Sequence, residues 1–286
     1  MPTHTLTCSQ LEGRRVWLSL SIPHEPKSCA WVNELVDAAA AANTVIDITS
    51  QPGLWGAFLP EESKVMAIGE AEIEKSIDET HAQNLIECDL IELLSAIGRE
   101  SMDLYVLSVR NGMNKRQMDG ALNACKLLKQ SGVARAIGLY SHDLETLKSL
   151  LSQSDLVDII LAPDNPLESC HELHELALEM QLDVVTCRPL NWGRGAPFML
   201  LDDGLELLGQ QVIAVHASRG AVLVGVRTPR EIESALLAED LEVAFDLRKQ
   251  LEPWIQAYQD EASWIGLADD PRPWVKAAAN SGVTHV

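Results

Sequence analysis

The stretch that decides the fold runs from residue 102 to residue 141: "MDLYVLS" (102–108), "ALNACKLLKQSG" (121–132) and "ARAIGLYS" (134–141). The outer two segments are continuous apolar runs without polar alternation, the mark of strands covered on both faces. The middle segment spaces its apolar residues at the helical repeat and closes on Lys129 and Gly132, a helix stop that hands the chain to the next strand. Strand, helix and strand in so short a unit predict two parallel strands joined by a crossover helix.

The same unit recurs on both sides. Further strand candidates are "RVWLSLSI" (15–22), "NTVIDITS" (43–50), "KVMAIGE" (64–70), "LVDIILAP" (156–163), "LDVVTCRPL" (182–190) and "GAVLVGV" (220–226). Helix candidates cover 28–42, 71–98, 115–131, 142–153, 167–180, 199–218 and 229–238, with Ser141 or Asp143 able to cap the fourth. Eight such units predict an α/β chain folded as one (β/α)8 TIM barrel over 1–286, and an open doubly wound sheet is the alternative. The segment 241–286, with a helix candidate at 243–259 and Trp254, Trp264 and Trp274, reads as an extension packed on the barrel.

Hydrophobic residues make up 47% of the 286, enough for a large core. Against 22 Lys and Arg stand 42 Asp and Glu, a formal net charge of -20, so the surface repels phosphate backbones and anionic headgroups. Nucleic acid and membranes are therefore not expected partners; a small molecule or another protein is, for a monomer or homodimer. The six cysteines form no CxxC pair, the N-terminus has no apolar signal core and no run approaches a membrane span, which together predict a cytoplasmic protein with reduced thiols. Cys170, His171 and His174 share a helix candidate but lack a further ligand, so no metal site is expected.

Active sites of such barrels form where strands end and helices begin. Those ends read Ser21, Asp47, Glu70, Ser108 with Arg110, Tyr140 with His142, Asp164 with Asn165, Cys187 with Arg188, and Arg227. Two carboxyls in such a ring, partly desolvated, would take divergent pKa values and serve as acid and base. An arginine there would hold a carboxylate or phosphate through paired hydrogen bonds. Asp47, Glu70, Tyr140 and Arg188 are the candidate catalytic residues.

Several stretches together resemble the aldo-keto reductases. "SMDLYVLS" resembles that family's Asp-Leu-Tyr strand, "APDNPLE" its Asn-Pro-Leu turn, "DVVTCRPLNWGRG" its Pro-Leu-x-x-Gly segment, and "VIAVHASRGAVLVGVRTPREIESAL" its last helix, strand and phosphate loop. The resemblance covers about residues 15 to 240 and implies the barrel fold and an NADPH-dependent carbonyl reductase with catalytic aspartate, tyrosine, lysine and histidine. Asp47 matches the aspartate. At the other three positions stand Trp55, Glu70 and Ser108. The family's ring-stacking tyrosine corresponds to Cys187, its carboxamide-binding Ser-Asn pair to Tyr140-Ser141, and its glutamine to Leu161. Gly225, Arg227, Thr228 and Arg230 match the phosphate loop and are the candidate NADP(H)-binding residues; an ordinary strand-to-helix turn is the other reading.

Three functions remain open on the sequence. They are acid/base chemistry without hydride transfer on a small anionic or carbonyl substrate, a non-catalytic regulatory or scaffold role, and an NADPH-dependent reductase with a rebuilt site.

Overall fold

The structure is a computed structural model that describes residues 4–6, 10–21, 28–109, 113–141, 144–152, 156–165, 171–190, 203–244, 246–247 and 249–252. Eight parallel strands close into a barrel: β3 (Val16–Leu20), β4 (Val45–Asp47), β5 (Lys64–Ile68), β6 (Met102–Val109), β7 (Ala134–Ser141), β8 (Ile159–Pro163), β9 (Asp183–Cys187) and β10 (Ala221–Val226). The last strand pairs with the first, Gly225 opposite Ser19, which excludes the open sheet. Each strand matches one of the eight runs read from the sequence.

The unit quoted at the start folds as expected. Helix α4 (Lys115–Gln130) opens on a capping box between Asn114 and Gln117, and the chain leaves it through Gly132 at φ +77°. Lys129 on its last turn reaches both carboxylate oxygens of Asp158 at 2.7 Å, fastening the helix end below β8. Asp158 also accepts from the backbone N–H of Ile137. A charge at this helix stop thus fixes two neighbouring strands as well as the helix.

The remaining helices are α1 (Cys29–Ala41), α2 (Pro52–Phe58), α3 (Glu79–Ile97), α5 (Leu144–Leu151), α6 (His171–Glu179), α7 (Asp203–Ala217) and α8 (Pro229–Leu237). The expected helix over 71–98 is instead a 3-10 turn, Ile73–Lys75, followed by α3. Asp78 breaks it by accepting from His81 N–H as the N-cap. Two elements were not legible beforehand. One is α2, whose two glycines and proline read as a loop. The other is the hairpin of β1 (His4–Thr5) and β2 (Glu12–Gly13), whose connecting residues Leu6 and Leu11 join Trp17 in closing the lower end of the barrel.

Two apolar layers hold the molecule. One lies between strands and helices, and the other fills the barrel with Trp17, Val45, Met66, Leu104, Val106, Ile159 and Leu161. Leu247 and Leu251 pack on Leu208 and Val212 of α7, so the extension begins against the helix layer. Its three tryptophans lie outside the described residues. Among those residues no helix is long and apolar enough to cross a membrane, and no group of three or more His, Cys, Asp or Glu is arranged to hold a metal ion.

Candidate active site

Alternate residues of each barrel strand point inward, and those at the strand C-termini line the mouth. Continuing the inward set from Trp17, Val45, Val106 and Leu223 brings Ser19, Asp47, Ser108 and Gly225 to that rim, together with Tyr140 and Cys187. Ser108 lies in register with Tyr140. Arg110 and His142 lie outside the described residues.

Asp47 is 5% exposed and held by three donors. Ser19 Oγ donates to its Oδ2 at 2.7 Å. Thr49 donates to Oδ1 twice, from N–H at 2.9 Å and from Oγ at 2.5 Å. Burial raises the Asp47 carboxyl above the ordinary value, against the lowering effect of those hydrogen bonds. The outcome is a carboxyl that holds its proton more tightly than usual at the C-terminal end of the closed barrel.

Arg188 follows the last residue of β9 with φ at +60°, a left-handed backbone that costs a non-glycine residue energy. That turn lays its guanidinium over the Tyr140 ring, 5.5 Å from the centroid, a cation–π contact across two strands. Tyr140 is buried at 8% exposure, a platform for the arginine. The Cys187 thiol at the end of β9 is pushed up to about 12, first by burial; Arg188 opposes the shift, and Asp47 and Asp164 add to it. It is a protonated thiol, unsuited to nucleophilic attack.

Glu70 stands apart. It is exposed, and its backbone N–H donates to Asp89 of α3, which also accepts the Tyr105 hydroxyl at 2.6 Å. Among the described residues no hydrogen bond or ion pair joins Glu70 to Asp47. Trp55 lies at 0% exposure in the strand–helix layer, its indole N–H donating to Ser50 Oγ at 3.2 Å.

The β10–α8 turn is built as a helix cap. Thr228 accepts from Glu231 N–H at 3.1 Å, and the Glu231 carboxylate accepts from Arg227 N–H at 2.5 Å. Arg230 lines a cleft of about 480 Å³ between α1 and α8, on the outer face with Arg14, Ala38, Ile232 and Glu233. Of the four candidate phosphate residues, Gly225 faces the mouth, Thr228 works as a cap and Arg230 borders the outer cleft.

Sequence reading missed Ser19 and Thr49, and it named Asp164 and His174 without joining them to each other or to His216. Ser19 and Thr49 surround Asp47, and the signal for Ser19 was the serine at every second position of "WLSLS". Behind the rim, Asp164 Oδ2 lies 3.2 Å from His174 Nε2 and 3.9 Å from His216 Nδ1, joining the end of β8 to α6 and α7. Burial lowers His216 to about 4; Asp164 opposes this, and His174 and Arg219 reinforce it. The folded state therefore resists protonation that the unfolded chain accepts at its ordinary 6.5, so stability is lost as pH falls from 6.5 through 4. That difference corresponds to about 3 kcal/mol. The melting temperature of His216→Gln should fall by about 5 °C less than that of the unaltered chain over this interval, read by calorimetry at matched ionic strength. Parallel curves would contradict it.

The fold is that of the aldo-keto reductases. An aldo-keto reductase of Bacillus halodurans, in its holo form, superposes at TM-score 0.67 with 16% identity, covering 89% of this chain and 96% of that one. An aldo-keto reductase from a Medee basin deep-sea metagenome library gives 0.67 with 15% identity over 88% and 94%. The aldose reductase of Schistosoma japonicum gives 0.65 with 12% identity over 86% and 89%. No protein-family model and no curated protein matches the chain.

Proposed function

We propose that the barrel mouth transfers protons to and from a small carbonyl compound carrying an anionic group, without a hydride donor. The observation that carries this reading is the buried carboxyl of Asp47, raised by desolvation and tied to hydroxyl groups. A carboxylate made more basic in this way suits abstraction of a proton next to a carbonyl. Arg188 supplies the anion clamp, pre-positioned on Tyr140 by its backbone turn. Glu70 is left out of this reading: it is exposed, and among the described residues no hydrogen bond or ion pair joins it to Asp47, so the proposal rests on one carboxyl.

NADP(H), the nucleotide that the fold family implies, does not fit the residues present. The amides of Arg227 and Glu231, which would cradle a phosphate, already serve the Glu231 carboxylate and Thr228, and an anion fixed there repels another. At the position matching the ring platform stands a buried thiol, Cys187, with no face on which a nicotinamide would stack. The phenol and amine of the related reductases correspond to Trp55, sealed in the helix layer, and exposed Glu70.

The test follows the methyl protons of pyruvate in D2O by NMR, with acetone as the neutral control. Exchange is expected for pyruvate and much less for acetone. Arg188→Ala should raise the half-saturating pyruvate concentration about tenfold to a hundredfold, the effect of losing charge-assisted hydrogen bonds. Exchange no faster than buffer overturns the reading.

A further inference from the structure

We propose that Ser19 is a catalytic proton relay, its hydroxyl carrying protons between Asp47 and a substrate seated over Gly225. This deepens the proton-transfer reading above and rests on it. The argument begins with the two oxygens of Asp47, which are not equivalent. Oδ1 receives both Thr49 donors. Thr49 Oγ itself accepts from Ile68 N–H at 2.8 Å, so its proton is committed to Asp47 and its orientation is fixed. Two donors on Oδ1 leave the acidic proton to Oδ2.

Among the described residues the hydrogen-bond partner of Oδ2 is Ser19 Oγ, at 2.7 Å. A serine hydroxyl rotates freely, donating to the carboxylate and accepting from the carboxylic acid. Ser19 is half-buried where Asp47 is 5% exposed, so it stands between the carboxyl and the mouth. Register places Asp47 on one side of it and Gly225 on the other. Among the described residues a β-carbon built on Gly225 would meet no atom within 4 Å, and Gly225 is exposed. The open space beside Ser19 is thus where a small substrate reaches its hydroxyl.

The step balances without any co-reactant. The C–H bond next to the carbonyl breaks, its proton passes to Ser19 Oγ as the serine proton passes to Asp47 Oδ2, and the electron pair moves onto the carbonyl oxygen as an enolate. The reverse sequence returns a proton, or a deuteron in D2O.

The experiment measures pyruvate exchange in Ser19→Ala, Ser19→Thr and Asp47→Asn. Loss of the relay should cost about a hundredfold in Ser19→Ala, with recovery in Ser19→Thr. A proton inventory in mixed H2O and D2O should be curved in the unaltered protein and linear in Ser19→Ala. Full exchange in Asp47→Asn sinks the underlying reading. An inactive Asp47→Asn beside a fully active Ser19→Ala, with a linear inventory in the unaltered protein, sinks the relay alone. Infrared titration of the protonated Asp47 band gives a second readout that needs no substrate. Its midpoint should rise in Ser19→Ala and return in Ser19→Thr, and an unmoved midpoint overturns the assignment.

Discussion

Asp47→Asn should raise the melting temperature at pH 7 to 8 while lowering pyruvate exchange at least a hundredfold, the contribution expected of a positioned general base. The two effects share one cause. Because burial raises the Asp47 carboxyl in the folded state, its ionised form is a burden on the fold. Below the ordinary value of 3.8 the acid is protonated whether folded or unfolded, and the burden vanishes. Stability is lost as pH climbs from there through the raised folded value, and above it the loss is complete. An amide never ionises, and its oxygen still accepts from Thr49. The gain at neutral pH should be about 2 °C or more, shrinking to nothing on acidification, as read by calorimetry across pH. A variant that melts lower than the unaltered chain at pH 8 would mean that the carboxylate is a structural anchor.

A second large effect concerns the helix layer. In Gly120→Ala the new methyl would stand 2.2 Å from the backbone oxygen of Glu79 and 2.9 Å from Ala82 Cβ, where α4 crosses the start of α3. Backbone cannot yield as a side-chain tip can, so overpacking here should destabilise by about 3 kcal/mol. That corresponds to a fall in melting temperature of about 6 °C or more. Gly132→Ala is the control: its φ of +77° strains an alanine, but among the described residues nothing lies within 4 Å of the methyl. It should cost about 1 kcal/mol. The reverse order, by chemical denaturation, would contradict the packing account.

The eight strands were legible because each is a short, predominantly apolar run, and a run covered on both faces leaves a mark that needs no partner to be read. Closure of the barrel was an inference from their number, and the pairing of β10 with β3 establishes it. The α2 helix was hidden because Pro52, Gly53 and Gly56 are loop-forming residues. Gly56 is required there by contact, since a β-carbon would fall 2.4 Å from Ile97 Cα. Counting strand ends reached Asp47, Tyr140, Cys187 and Arg188 because each lies at or beside the C-terminal end of a barrel strand. Glu70 lies two residues beyond β5, where its backbone amide bonds Asp89 of α3, a turn that sequence does not announce. Ser19 and Thr49 escaped notice because a serine or threonine carries no signal until a carboxylate is placed beside it. The Asp164, His174 and His216 cluster joins three elements far apart in sequence, which no local pattern announces.

One measurement separates proton from hydride chemistry at this mouth. The protein is incubated with pyruvate and NADPH together in D2O, and the sample is followed by proton NMR. Fading of the pyruvate methyl signal through deuterium uptake, with NADPH unchanged and no lactate formed, is the predicted result. Growth of a lactate methyl doublet with matching loss of NADPH would contradict the account.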